Sequence, residues 1–242
     1  AIDKEFPGHA AKVMSGMWGT GQMSFAKAII MVDERSLLYD GKKLLRHLLN
    51  TVDLGSDITI IEGILDVLDH SAPQGLYGAK IGIDATRRFP GELQRSCDEK
   101  STALPDADAL FKTLKNLDPG FTAFRLVFPD TCLPLMLTAV DKAGGKGSPH
   151  FLDKLKAKPL GAGIVVIYDS SIELSDDSLV LWKAFNNVDP RRDICFTGEG
   201  LIIDATKKGP AEGHTRPWPN DIVMTDDVKT LVNRRFPWIG KN

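Results

Sequence analysis

The chain has 242 residues, of which 43% are hydrophobic and 26% charged, and its 30 basic and 32 acidic residues leave a formal net charge of −2. This is the composition of an ordinary globular protein, and it excludes a nucleic-acid-binding footprint or a basic membrane-binding face. No apolar run approaches the roughly 18–20 residues that a transmembrane helix needs.

The first predicted element is a helix over residues 9–18, where apolar side chains recur at helical spacing. The apolar run 28–32, which ends on Asp33, predicts a buried strand. Asp40 is placed to cap a following leucine-rich helix, and residues 58–61 predict a second buried strand. Strand, helix and strand in this order predict a parallel pair joined by a right-handed crossover.

The same order returns in the second half of the chain. Residues 164–168 predict a strand that ends on Asp169, Ser175 is the predicted cap of the next helix, and residues 194–197 predict the following strand. Between the halves, Asp106 is placed to cap a short helix. Near the end of the chain, an amphipathic helix is predicted with Val228, Leu231 and Val232 on one face.

An internal repeat is predicted from paired segments. FPGHAAKVMSGMW from Phe6 aligns with FPDTCLPLMLTAV from Phe128, and GIDATRRFPGE from Gly82 aligns with LIIDATKKGPAE from Leu201. Asp33 aligns with Asp169, and VD at 52–53 aligns with VD at 188–189. The alignment needs an insertion around GGKGSPHFLDKLKA in the second copy and a deletion opposite HSAPQGLYGAK. We interpret the two copies as related α/β units.

Four segments follow from these patterns. An α/β unit is predicted over 1–95, a connecting segment over 96–120, a second, diverged α/β unit over 121–215, and a C-terminal tail with its helix over 216–242. The predicted fold class is therefore α/β, with two tandem related three-layer-type units, mixed and largely parallel sheets, and a C-terminal amphipathic helix.

The three cysteines, Cys97, Cys132 and Cys195, are odd in number and far apart. Their spacing argues against a disulfide framework and predicts a reducing, cytoplasmic setting. The first residues lack the basic and apolar regions of a secretory signal. They also lack an initiator methionine, which indicates a processed terminus or a fragment.

Most catalytic signatures are absent from the sequence, including HExxH, CxxC, GxSxG and the GxxxxGK[ST] loop. The five histidines never fall at a metal-ligand spacing. The glycine-rich stretches 19–21 and 144–148 are both interpreted as flexible connections. The first lies before a strand, and the second is predicted to follow a helix rather than to open one.

A few polar residues remain as candidates. Asp33 and Asp169 follow predicted strands, where open α/β sheets place ligands, but capping or turn formation is the favoured interpretation of both. Lys27 directly precedes the first strand and is a possible phosphate contact or a solvated lysine. His70 lies in a turn-rich loop, where it is either structural or available to a substrate.

Several segments resemble the carboxy-terminal domain of the UbiD family, which includes 3-octaprenyl-4-hydroxybenzoate decarboxylases. In the first half these are FPGHAAKVMSGMWG (6–19), FAKAIIMVDE (25–34) and the most specific one, ILDVLDHSAPQGLYGAKIGIDATRRFPGE (64–92). In the second half, LVLWKAFNNVDPRRD (179–193) and IDATKKGPAEG (203–213) are similar to the same domain. The Arg-Asp turn is better kept in the second unit and the HSAP loop in the first.

The resemblance implies decarboxylation of aromatic or unsaturated acids with prenylated FMN, manganese and potassium in the complete enzyme. It implies that the catalytic residues and metal ligands lie in a preceding N-terminal domain, so none is assigned here and the chain alone is expected to bind no cofactor. This domain would close over the active site and build a homo-oligomer through the C-terminal helix. Lys27 matches a lysine that reaches the cofactor phosphate, and Leu65, Val67 and His70 fall in the segment that lines the substrate pocket.

Three hypotheses stay open at this point. The chain completes a decarboxylase when it is joined to the missing domain, it is a noncatalytic assembly module, or it is an independent enzyme or nucleotide-binding α/β protein that uses the sheet edge at Asp33 and Asp169.

Overall fold

The structure is a computed structural model that describes residues 1–93, 106–158, 160–198 and 200–238. Its helices are α1 (His9–Trp18), α2 (Gly41–Thr51), α3 (Ala107–Leu117), α4 (Ser148–Ala157), α5 (Asp177–Asn186), α6 (Pro190–Asp193) and α7 (Asp226–Arg235). Its strands are β1 (Ala28–Met31), β2 (Ile58–Ile64), β3 (Tyr77–Asp84), β4 (Phe121–Val127), β5 (Leu135–Val140), β6 (Ile164–Asp169), β7 (Ile194–Phe196) and β8 (Leu201–Asp204). The predicted α/β class is confirmed.

The strands form two mixed sheets, ordered β1-β3-β2 and β4-β5-β6-β8-β7. Three of the pairings between described strands are parallel (β1–β3, β5–β6 and β6–β8), and three are antiparallel (β2–β3, β4–β5 and β7–β8). The predicted parallel pair of β1 and β2 is wrong, because β3 lies between them and runs antiparallel to β2. The same holds for β6 and β7, which are separated by β8.

Local capping explains where the helices begin. Asp40 accepts hydrogen bonds from the backbone amides of Lys42 and Lys43 at 3.1 and 3.0 Å, as the sequence predicts. The cap of α5 is Asp176, which accepts from the Leu179 amide at 2.9 Å, and the predicted cap at Ser175 is wrong by one residue. Asp106 stands at the N-cap of α3, but its side chain makes no capping hydrogen bond.

Three strands of each sheet share one topology and one register. Ile30 and Val166 are 136 residues apart (166 − 30), and their parallel partners Ile83 and Ile203 are 120 apart (203 − 83). The antiparallel partners of those two central residues are Ile58 and Ile194, again 136 apart (194 − 58). These are the separations that the aligned aspartates and IDAT segments have in the sequence.

The predicted match between residues 6–18 and 128–140 is wrong, because the second segment ends in β5 rather than in a helix. The counterpart of α1 is α4, which lies in the stretch that the alignment treated as an insertion. Both helices begin at a glutamate carboxylate. Gly8 N donates to Glu92 Oε1 at 2.9 Å, and Ser148 N donates to Glu212 Oε1 at 3.0 Å. A carboxylate at this place satisfies free amides and favours the helix dipole.

The two sheets are packed together through α2. Leu45 and Leu49 of α2 join the apolar cluster on one face of the larger sheet, and Leu133 N donates to Leu49 O at 2.9 Å. On the opposite face, α3 and α4 bury Leu114 and Phe151 against β4 and β5. The helix within the predicted connecting segment therefore packs on the core of the larger sheet.

Two further observations bear on the expected setting. Cys132 is disulfide-bonded, which departs from the expectation of reduced cysteines, whereas Cys195 is a free thiol. Within the described ranges, no helix is both long and apolar enough to span a membrane.

Candidate functional site

The loop that carries the predicted pocket residues joins β2 to β3 and covers residues 65–76. The equivalent connection between β7 and β8 covers only residues 197–200, which agrees with the deletion predicted there. We call residues 65–76 the β2–β3 loop. It lies where the smaller sheet meets the second half of the chain.

Lys27 fixes this loop to the start of β1. Its Nζ donates to Asp69 Oδ2 at 2.6 Å and to Ser71 Oγ, and its side chain is 16% exposed. Asp69 also accepts from the Ala72 amide at 2.9 Å. Burial raises the pKa of the Asp69 carboxyl, but the Lys27 charge and these hydrogen bonds outweigh it and leave that pKa lowered. The Asp69 carboxyl is therefore ionised at neutral pH.

Residues of the second half hold the other side of the loop. Arg192 Nη2 donates to Ser71 O at 3.0 Å, and Arg216 Nη1 donates to Asp69 O at 3.2 Å and to Ala72 O at 3.0 Å. Asp189 Oδ2 accepts from the Ala79 amide of β3 at 3.2 Å. We call Asp189, Arg192 and Arg216 the clamp. It fixes the backbone of the β2–β3 loop from residues more than a hundred positions away.

The clamp rests on a buried charge network. Arg192 makes a two-point contact with Asp193, at 2.7 Å (Nε–Oδ1) and 2.8 Å (Nη2–Oδ2). Lys208 lies 3.8 Å from Asp193 and 3.2 Å from Asp204, and all three of these side chains are almost completely buried. Burial raises the pKa of Asp193, although the two cations oppose that effect. Such a network is stable only while every member stays paired.

His70 lies on the inner side of the loop against Trp218, with ring centroids 4.6 Å apart in an edge-on arrangement. His214 approaches the same indole at 5.2 Å. In the part of the chain that the structure describes, the buried His214 Nε2 has no hydrogen-bond partner, while the side chains of His70 and Asn187 lie close enough to interact with each other. Burial lowers the pKa of both histidines, so the neutral imidazoles prevail at pH 7. Unpaired polar atoms of this kind can bind a ligand or water.

The other two predicted pocket residues lie at the start of the same loop. Leu65 is fully buried, and Val67 is 72% exposed. The structure therefore joins Lys27 to the loop that carries His70, while the side chains of Leu65 and Val67 have opposite degrees of exposure. The sequence reasoning did not identify Arg192, Arg216 or Trp218 as part of the site. The Arg-Asp turn and the proline-rich tail were the available signals.

The polar groups considered for a nucleotide site, at Asp33, Asp169 and residues 144–148, are hydrogen-bonded to other parts of the chain. Asp33 Oδ2 accepts from the Arg87 amide at 2.9 Å, and Asp169 Oδ2 accepts from the equivalent Lys207 amide at 2.7 Å. Both aspartates thus fix a turn. The stretch 144–148 follows β5 and opens α4, so the prediction that it follows a helix is wrong. Glu212 Oε1 nevertheless accepts a hydrogen bond from the Ser148 amide there, so this amide is already paired within the chain and is not free for a phosphate group.

We searched the described residues for a metal site and for cavities apart from the β2–β3 loop. Within the described residues, no group of three or more His, Cys, Asp or Glu side chains could hold a metal ion. Surface grooves of about 320 and 410 Å³ lie between α1 and β2 and on α5. Neither is lined by Lys27 or His70.

Comparison with known proteins decides the family. The family described as "3-octaprenyl-4-hydroxybenzoate carboxy-lyase C-terminal domain", UbiD_C, matches residues 1–85 and 103–214. The chain belongs to this family. Two relatives from Helicobacter pylori, strains 26695 and J99, are both described as "Uncharacterized protein". Each is 30% identical over 234 residues, which cover 94% of this chain and 36% of the relative. The chain therefore spans about a third of their length.

Solved structures similar to this UbiD-family chain are more distant. A dimeric form of the UbiD-class enzyme HmfF from Pelotomaculum thermopropionicum, in complex with prFMN, has a TM-score of 0.41 at 13% identity, with 74% of this chain and 44% of that one covered. The closed form of vanillic acid decarboxylase from Sedimentibacter hydroxybenzoicus has a TM-score of 0.43 at 17% identity, covering 75% and 44%.

Proposed function

We propose that this chain is the C-terminal, oligomerising and active-site-closing part of a prenylated-FMN-dependent decarboxylase or carboxylase of aromatic or unsaturated carboxylic acids. The observation that carries the proposal is the UbiD_C match over both halves of the chain. The setting we propose is the cytoplasm. The isolated chain is expected to be inactive, because in this proposal the catalytic residues and the ligands of manganese and potassium belong to a preceding N-terminal domain.

Lys27 is the residue of this chain that fits the cofactor. An ammonium group has three N–H donors, of which Asp69 and Ser71 use two within the described residues. The third remains for an oxygen of the cofactor phosphate. Prenylated FMN, when bound, supplies the electron sink that loss of carbon dioxide from an sp² carbon requires. Lys27 holds the phosphate end, and its pairing with Asp69 sets the position of the β2–β3 loop at the same time.

The loop itself would cover the substrate. Val67 is exposed and offers an apolar surface, His70 offers a neutral imidazole, and Leu65 is buried at the start of the loop. A neutral His70 can form a hydrogen bond to the substrate and carries no positive charge that would form an ion pair with the substrate carboxylate. Closure of such a loop excludes water from the reacting carbon, which strengthens the electrostatic interactions there.

Replacing Lys27 with alanine in the full-length enzyme is expected to weaken prenylated FMN binding about tenfold, since one charge-assisted hydrogen bond is lost. Cofactor affinity measured by fluorescence titration checks this. Lys43→Ala is the matched control, because Lys43 also pairs with an aspartate, Asp40, but is 74% exposed. Equal affinity in the wild type and Lys27→Ala would refute the role of Lys27 while leaving the family assignment intact.

The C-terminal helix is the part of the chain that we propose forms a homo-oligomer. None of the residues of α7 is buried, and Val228, Leu231 and Val232 are 40, 61 and 38% exposed on it. An apolar stripe of this kind is stable in water only when another surface covers it. Its last turn carries Arg234 and Arg235 and its first turn Asp226 and Asp227, charges that suit antiparallel pairing with a second copy.

Replacing Leu231 with glutamate is expected to shift the full-length protein toward the monomer, raising the dissociation constant of the oligomer by at least about tenfold. Native mass spectrometry over a dilution series measures this. Lys229→Ala, on the same helix but paired with Asp226, serves as the control and should leave assembly unchanged. An unaltered oligomer in Leu231→Glu would place the interface elsewhere.

The exposed face of α7 also favours the second candidate, a noncatalytic assembly module. The two are separated by native mass spectrometry of this chain with and without the rest of the polypeptide. A flavin-sized mass in the assembled sample supports the decarboxylase, and a bare homo-oligomer in both samples supports the module. We further propose that the two units are tandem copies of one ancestral domain, given their common strand order and register.

A further inference from the structure

The outer edge of β1 is an unfilled pairing surface. Among the described strands, β1 has one neighbour, β3. Lys27 O and Met31 O accept hydrogen bonds from backbone amides on the β3 side, both at 2.9 Å. Because alternate residues of a strand in a parallel ladder bond to opposite sides, the N–H and C=O groups of Ala28 and Ile30 face away from β3.

The equivalent edge of the larger sheet is occupied. β6, the counterpart of β1, pairs on that side with β5 in parallel, and β5 pairs in turn with β4. Ile164, the counterpart of Ala28, donates its N–H to Pro134 O at 3.1 Å, and Ser170 N donates to Val140 O at 2.9 Å. The edge that is open at β1 is therefore occupied at the equivalent strand β6, where β5 and then β4 continue the sheet.

One hydrogen bond on the outer side of β1 is formed, and it comes from the first residues of the chain. Ile2 N donates to Val32 O at 2.8 Å, directly beyond β1. In a parallel ladder this hydrogen bond belongs to the residue opposite Asp33. The counterpart of Asp33 is Asp169, whose partner is Val140, the last residue of β5. Ile2 thus stands where the last residue of a strand equivalent to β5 would stand.

The lysines that follow confirm this register. Each lies two residues after the strand position and donates Nζ to a backbone carbonyl and to a glutamate of the IDAT segment that follows. The contacts are Lys4 with Arg87 O (2.8 Å) and Glu92 Oε2 (2.7 Å), and Lys142 with Lys207 O and Glu212 Oε1 (3.3 Å). The lysines are 138 residues apart (142 − 4), as are Ile2 and Val140 (140 − 2). Burial raises the pKa of Glu92, but the Lys4 contact and two backbone amides lower it overall to about 2.

On the basis of the proposed function, in which a further domain precedes this chain, we propose that the polypeptide immediately before Ala1 forms a strand that pairs in parallel with the outer edge of β1. In β5, which has six residues, Ala139 and Val140 correspond to Ala1 and Ile2, so Leu135–Thr138 correspond to four residues that precede Ala1. All six residues of β5 are buried, so the added strand is apolar. It tethers the preceding domain directly beside Lys27.

Hydrogen exchange at single-residue resolution tests the proposal on the full-length protein, with this 242-residue chain as reference. The amides of Ala28 and Ile30 are expected to exchange about 100-fold or more slowly in the full-length protein, approaching Ile164 and Val166. The amides of Ile29 and Met31 bond to β3 in both proteins and should change little. In a full-length variant whose four residues before Ala1 are replaced by Gly-Ser-Gly-Ser, fast exchange should return at Ala28 and Ile30.

Three results would overturn the proposal. Equal exchange of Ala28 and Ile30 in both proteins would leave the edge open. Protection in the 242-residue chain that grows with protein concentration would assign the edge to a second copy. Protection that survives the Gly-Ser replacement would assign it to another segment.

Discussion

Replacing Arg192 with alanine is expected to lower the free energy of unfolding by about 3–5 kcal/mol, because Asp193 then remains buried without its two-point partner. The hydrogen bond from Arg192 to Ser71 O is lost as well, so the β2–β3 loop loses part of its clamp. Urea unfolding followed by tryptophan fluorescence measures the change.

The neighbouring residue provides the control. Arg191 also makes an ion pair, with Glu62 at 2.8 Å, but the two side chains are 59 and 44% exposed. Arg191→Ala is therefore expected to cost no more than about 1 kcal/mol. Similar losses in the two variants would mean that water reaches Asp193 and that the network is less buried than its geometry indicates.

Replacing Gly78 with alanine is expected to lower the free energy of unfolding by about 1–3 kcal/mol through overpacking. An added Cβ would lie 2.7 Å from Ala72 Cβ, 2.8 Å from Leu65 Cδ1 and 3.1 Å from Asp189 Oδ2. The first two atoms belong to the β2–β3 loop and the third belongs to the clamp. The substitution therefore pushes on all three at the point where the two halves of the chain meet.

Gly63 is the cross-strand partner of Gly78 and supplies the matched variant. An added Cβ there meets only the side chain of Lys80, whose Cε lies 3.1 Å away and needs to move by a few tenths of an ångström. Gly63→Ala is expected to be neutral or stabilising by about 0.5–1 kcal/mol, as glycine is unfavourable within strands. Equal unfolding midpoints for the two variants in urea would show that the β2–β3 loop yields to the added methyl group.

The local parts of the fold are readable in the sequence. The bounds of α1 follow from apolar spacing, and the cap of α2 follows from Asp40, since both depend on residues within one or two helical turns. Strand order was not readable in the same way. β3 and β8 insert between strands that are adjacent in the chain, which depends on pairing between distant segments.

Only the residues of the candidate site that lie in the first half of the chain could be predicted from the sequence. Lys27 and His70 lie in segments that carry the resemblance, and the structure joins them through Asp69. The clamp was missed because its hydrogen bonds join Arg192 to Ser71, 121 residues away, and Arg216 to Asp69, 147 residues away. Neither periodicity nor spacing within one segment contains such information.

The distance of the clamp from the loop has a consequence for the order of folding. During synthesis the smaller sheet leaves the ribosome first, while Arg192 and Arg216 emerge more than a hundred residues after Ser71. Contacts at such separation form late, because closing a long loop costs entropy before any bond is gained. Lys27 and His70 are thus the last part of the early sheet to reach their final geometry. In a chain that stops before residue 188, the first sheet is expected to form, but the β2–β3 loop would lack the hydrogen bonds from Asp189, Arg192 and Arg216.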